Sequence, residues 1–295
     1  MEAGGAAPSA VSINPRTRIG AVRLAVADLG RTTAFYERAI GLAIMDRSPE
    51  VVRLGASGGH PLVELTARPG APPRPRRSTG LFHMAILVPS RLDLALALRR
   101  LVDADWRLSG ASDHLVSEAL YLSDLEDNGI EIYRDRPRDE WRYSDGELQM
   151  ATLPLDLERL VAELDGAEDG RRGMPAGTRI GHVHLQVADL AEAEAFYHRV
   201  LGFEITVRSY PGALFLAAGG YHHHLGVNIW AGAGVPPPPP GSRGLLWFEV
   251  RLPGERELER VERRLGAAGV DPRHDADGLH VVDPSGNGVL LKAAA

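Results

Sequence analysis

Eleven histidines and not one cysteine set the chemical options of this 295-residue chain. Without cysteine there is no disulfide, thiolate metal site or thiol nucleophile, so imidazoles and carboxylates must carry any chemistry. The histidines are grouped. His182 and His184 stand two apart in IGHVHLQV, which puts both on one face of a strand. A run of three follows in GGYHHHLG; on an extended strand His222 and His224 face one way and His223 the other. Neutral imidazoles that share a face with a carboxylate can hold a divalent ion and leave open positions for substrate. Scattered histidines such as His60, His198 and His274 read instead as surface or locally satisfied groups.

The elements that must position these groups come from a repeat. IGAVRLAVADLGRTTAFYERAIGL, starting at Ile19, recurs as IGHVHLQVADLAEAEAFYHRVLGF, starting at Ile180. The stretch from Ser78 recurs from Ser242 at nearly the same spacing, and LEDNGIEIYRD answers DPSGNGVLLKA. Each half therefore holds two similar units. A unit reads as a strand, an Asp-Leu or Pro-Ser turn, a helix stopped by glycine, then three short strands. The expected fold is α+β, four βαβββ units in two duplicated halves, with open β cups. Residues 1–17 are expected as a disordered tail, 18–136 as the first pair of units, 137–178 as a helical linker, and 179–293 as the second pair. Within the linker, ATLPLDLERLVAELDG is expected as one amphipathic helix. Tyr36 and Tyr197, in the repeated FY pair, are expected to pack helix on sheet. A net charge of -6 argues against a nucleic-acid partner. No apolar run reaches the ~20 residues of a membrane span, and a cytoplasmic location is the default.

The repeat resembles the vicinal oxygen chelate superfamily, which holds glyoxalases, antibiotic-resistance proteins and extradiol dioxygenases. DHLVSEALYLSDLEDNGIEIYRDRP, GHVHLQVADL and GGYHHHLGVNIW are most similar to bacterial catechol 2,3-dioxygenases. The resemblance implies metal-ligand positions on the first and last strand of each unit. Those positions fall on Ala21, His83, His182 and Trp247, and on Glu64, Glu131, Asn228 and Leu290. Only His83, Glu131 and His182 supply two imidazoles and a carboxylate, the set that suits Fe(II), with Mn(II) accepted by the same donors. This implies that unit two pairs with unit three around the metal, within one chain or between chains of a homo-oligomer, while units one and four enclose an empty cup. The implied reaction takes a small aromatic diol and O2 to a 2-hydroxymuconic semialdehyde. The family pattern gives His222 the acid-base role, with His224 second, and sets Tyr121 and His114 against the substrate hydroxyl. His184 competes with His182 as a ligand, Glu64 is a structural residue, and Asp113, Asp124 and Glu118 are available to orient the ligand imidazoles. Two other readings compete: a glyoxalase-like isomerase or lyase on Zn or Ni, which wants a fourth protein ligand, and a metal-free binding protein of the bleomycin-resistance type.

Overall fold

A computed structural model describes residues 12–166 and 173–294. Unit one contributes β1 (Arg18–Val26), β2 (Ala43–Arg47), β3 (Val51–Gly55) and β4 (Pro61–Ala67). Unit two contributes β5 (Gly80–Leu87), β6 (Gly110–Asp113), β7 (Ser117–Ser123) and β8 (Gly129–Asp135). Three two-residue strands follow: β9 (Tyr143–Ser144), β10 (Glu147–Leu148) and β11 (Leu153–Pro154). Unit three holds β12 (Arg179–Gln186), β13 (Glu204–Val207), β14 (Ala213–Ala217) and β15 (Leu225–Asn228). Unit four holds β16 (Gly244–Leu252), β17 (Arg273–Asp275), β18 (Gly278–Val282) and β19 (Gly288–Ala293).

Sheet order decides which units share a cup. One sheet runs β17-β18-β19-β16-β1-β4-β3-β2, joining unit four to unit one. The other runs β11-β6-β7-β8-β5-β12-β15-β14-β13, joining unit two to unit three. Each seam is an antiparallel pair, β1 with β16 and β5 with β12. Both large sheets therefore draw on both halves of the chain, and β9 and β10 pair only with each other. The faces turned away from the cups supply one continuous core, in which Met84, Ile86, Val183 and Leu185 meet Val22, Leu24, Phe248 and Val250.

The repeated ADL and FY motifs explain themselves in this frame. Asp28 and Asp189 accept backbone N–H groups at the starts of α1 (Leu29–Phe35) and the shorter α2 (Leu190–Glu194). Both helices then widen into π turns, Tyr36–Ile40 and Ala195–Val200. Tyr36 donates to Asp124 Oδ2 at 3.0 Å, and Tyr197 donates to Asp283 Oδ2 at 2.9 Å. Each aspartate also accepts three bonds from its own turn, including both nitrogens of Asn128 or Asn287. The tyrosines do more than pack. They bolt unit one to unit two and unit three to unit four, from one sheet to the other.

Two segments differ from expectation. Residues 12–17, assigned to the tail, are held in place: Ile13 is buried, and its N–H donates to Gly202 O at 2.8 Å. Residues 1–11 lie outside the described residues. In the linker, Leu153–Pro154 pairs as a strand with Ser112 and Asp113. The helix starts only at Leu157, where Asp156 caps Arg159 N, and runs to Val161 before a final 3-10 turn. Pro154 has no N–H to give a helix interior, so the amphipathic pattern shortens to its second half. Among the described residues, no helix is long and apolar enough to cross a membrane.

Candidate metal centre

Three adjacent strands, β8, β5 and β12, build the site. Ala85 on β5 pairs with Glu131 on one side and His182 on the other. His83, two residues before Ala85, shares its face. The alanine methyl is small enough to leave the space between the three side chains open. His83 Nε2 and His182 Nε2 each lie 3.0 Å from the same oxygen, Glu131 Oε2. The donor atoms of all three lie within 4.8 Å of one another, the only such trio of metal-binding side chains among the described residues.

All three side chains are buried, with His182 1% and Glu131 2% exposed. His83 Nε2 is buried and makes no hydrogen bond, although Glu131 stands at hydrogen-bond distance. Burial drives the His182 pKa from 6.5 to about 4, against the opposing pull of Glu131. For Glu131 burial works upward, but His182 and His83 outweigh it and hold the carboxyl well below its ordinary value. Neutral imidazoles and an ionised carboxylate are the forms that bind a divalent metal. The donor set fits the implied ion.

The trio forms the floor of a cavity of about 440 Å³. Phe82, Tyr210, Phe215 and Trp230 give it aromatic walls, and Met150 to Thr152 of the inter-half connection close one side. Tyr121, paired with Glu131 across β7 and β8, also lines it. His114 Nδ1 lies 2.7 Å from the Ala151 carbonyl, which can only accept, so Nδ1 carries the proton. In the neutral ring His114 Nε2 then accepts, and the Tyr121 hydroxyl, 2.7 Å away, donates to it. Burial and the nearby Glu131 raise the Tyr121 pKa well above its ordinary value, so its oxygen remains a neutral acceptor facing the cavity.

The histidine run alternates as expected, but it turns the opposite face to the cavity. β15 begins only at Leu225, and the chain bends at His222 and at His224. The His223 ring lines the cavity, 4.0 Å from the His182 ring, centroid to centroid. His222, expected there, is fully buried behind it between Tyr221 and Trp141, with Nε2 3.0 Å from Asp135. His224 lines a separate cavity, and its Nδ1 accepts the N–H of Ala218. Nor do the carboxylates expected to orient the ligand imidazoles reach them. Asp113 and Glu118 pair with arginines, and Asp124 is held by Tyr36. His184 faces His83 in register, but stands outside the trio; its buried Nε2 has no partner.

The model of the glyoxalase/bleomycin resistance protein/dioxygenase superfamily matches residues 18–140 and 179–291. The chain belongs to this superfamily. A Bacillus subtilis relative named catechol-2,3-dioxygenase is 44% identical over 277 residues, 92% of this chain and 96% of that one. Among solved structures, a Bacillus subtilis protein is 12% identical with a TM-score of 0.64, covering 96% of this chain and 86% of its own. Glyoxalase I from Zea mays is 17% identical with a TM-score of 0.57, covering 93% of this chain and 92% of its own. These two share the fold.

Register now corrects one superfamily position. In unit two, Glu131 pairs with the residue two beyond His83. The same relation gives Glu64 in unit one and Leu290 in unit four, opposite Arg23 and Glu249. In unit three it gives Gly226, opposite His184, and not Asn228, which pairs with Gln186. A Cβ at Gly226 would stand 2.9 Å from His184 Cγ, so the missing side chain makes room for that ring. In the other cup, Ala21, Trp247 and Leu290 pack together as an apolar cluster. Glu64 there lies 3.5 Å from Arg53.

Proposed function

We propose that the protein is an extradiol dioxygenase that opens a catechol beside its diol to a 2-hydroxymuconic semialdehyde, with Fe(II) held by His83, Glu131 and His182. The carrying observation is that two imidazoles and one carboxylate converge on the floor of an aromatic-walled cavity. Three protein ligands leave about three positions open, enough for two catechol oxygens and O2. When bound, the metal lowers the pKa of a catechol hydroxyl and brings substrate and O2 to one centre. Mn(II) suits the same donors; zinc chemistry of the glyoxalase kind would want a fourth protein ligand, and Gly226 supplies none.

The chain's own residues orient the ring and handle protons. Phe82, Phe215 and Trp230 offer their faces and edges to a flat aromatic substrate. Tyr121, committed as a donor to His114, accepts a hydrogen bond from a substrate hydroxyl. His223 takes the acid-base role given to His222 by the sequence pattern, because its ring borders the cavity and its Nδ1 is already engaged by His222 at 2.8 Å. That leaves Nε2 to accept the proton of a substrate hydroxyl and to return it. Protein purified without O2 should contain iron and consume one O2 per catechol, with a product heavier by two oxygen atoms. Protein that loads no metal, or loads iron and leaves catechol intact, would overturn the reading.

A further inference from the structure

Behind His223 lies a polar chain that the chemistry above does not use. His222 Nδ1 is 2.8 Å from His223 Nδ1, and His222 Nε2 is 3.0 Å from Asp135 Oδ1. The Tyr221 hydroxyl gives its proton to the same carboxylate, 3.0 and 3.1 Å from its two oxygens. Tyr133 then donates to Tyr221 across 2.7 Å. Asp135 also borders a second cavity of about 190 Å³, lined by Arg18, Arg136, Arg138 and Arg179. The rings of Tyr133, Trp141 and Tyr221 surround His222, which is fully buried.

With Asp135 ionised and His222 neutral, donor bookkeeping sets the direction of every bond in this chain. An ionised carboxylate only accepts, so His222 must carry its proton on Nε2. A neutral His222 then has a lone pair on Nδ1, and His223 must donate to it from its own Nδ1. His223 is left with a bare Nε2 on the cavity side. We infer that Asp135, acting through His222, is a positioning residue that sets the tautomer of His223 and so makes it a proton acceptor toward substrate. This rests on the acid-base role proposed for His223.

Asp135→Asn changes the bookkeeping while nearly keeping the shape. The amide can donate to His222 Nε2 while its oxygen still accepts from Tyr221. His222 would then hold its proton on Nδ1 and donate to His223, which would turn an N–H toward the substrate. The loss in kcat for catechol should be about 100-fold or more, the scale of a positioned proton acceptor. Iron content and KM should stay within about two-fold of the wild type. The decisive readout is the rate at which the enzyme ionises catechol on binding without O2, followed by ultraviolet absorbance. Asp135→Asn should slow that rate for catechol but spare 4-nitrocatechol, whose electron-poor ring ionises unaided. Tyr221→Phe removes the other donor to Asp135 and should leave the rate close to wild type. If Asp135→Asn fails to fold, His222→Phe carries the same comparison. Equal slowing of both catechols, slowing by Tyr221→Phe to match, or a wild-type rate in Asp135→Asn would each overturn the inference. If instead the wild-type protein binds no iron or does not ionise catechol, the functional reading itself fails.

Discussion

The two tyrosine bolts allow a matched experiment in one molecule. Tyr36 and Tyr197 are both fully buried, and each donates one hydrogen bond to a buried aspartate that keeps three further donors. Tyr→Phe deletes one bond to a charged acceptor at each place, worth about 1.5–3 kcal/mol, and the lower end applies because neither carboxylate is left unpartnered. Both variants should therefore lose about 1.5 kcal/mol in urea denaturation of the metal-free protein. Their effects on the metal should differ. The Asp124 turn leads straight into β8 and Glu131, whereas the Asp283 turn leads into β19 and the apolar cup. If iron binds only the chain with its turn closed, Tyr36→Phe can weaken iron by at most the same energy, about ten-fold for 1.4 kcal/mol. Tyr197→Phe should leave iron affinity unchanged, as measured by competition with a chelator. Equal weakening of iron by both variants, or a stability loss confined to one, would refute this account of how the sheets are bolted.

Three further outcomes are expected. His83→Ala, Glu131→Ala and His182→Ala should each abolish metal binding with native circular dichroism retained, and chelation should lower the thermal midpoint of the wild type but not of these variants. Burial holds the His224 pKa down at about 3 from 6.5, so the unfolded chain binds its proton first. The stability linked to His224 is complete above pH 6.5 and falls as pH drops toward 3; His224→Asn should flatten that limb of a stability–pH profile. Gly129→Ala and Gly288→Ala put a Cβ onto the carbonyl oxygens of Phe82 and Leu246, equivalent places in the two sheets. Both should destabilise by roughly 1–3 kcal/mol in denaturant titration, and only Gly129→Ala should disturb the metal.

Much of this architecture was legible because duplication repeats its signals. The ADL cap, the FY pair and the glycine stop appear twice, so each copy corroborates the other. The unit pairing was legible from chemistry, since only a seam between units two and three joins His83 and Glu131 to His182. For the histidine run the face was not legible, because period two separates His223 from His222 and His224 without saying which side the sheet turns toward the cavity. The Asn228 position misled for a related reason: residue spacing along a strand does not report cross-strand register, which gives Gly226. The hydroxyl bonds of Tyr36 and Tyr197 span sheets that only the tertiary fold brings together.

Gly226 has a consequence for how many coordination positions remain open. Imagine the first half of the chain alone, meeting a second copy of itself through β5 instead of β12. The shared floor would then offer two His83 and two Glu131 side chains, four protein donors around one ion. A symmetric dimer of that kind has little room for two substrate oxygens and O2. Joining two diverged halves in one chain breaks the symmetry: one side of the seam keeps its carboxylate, and the other carries glycine opposite a histidine. Asymmetry at a single backbone position thus leaves three candidate donors on this floor where a symmetric seam would offer four.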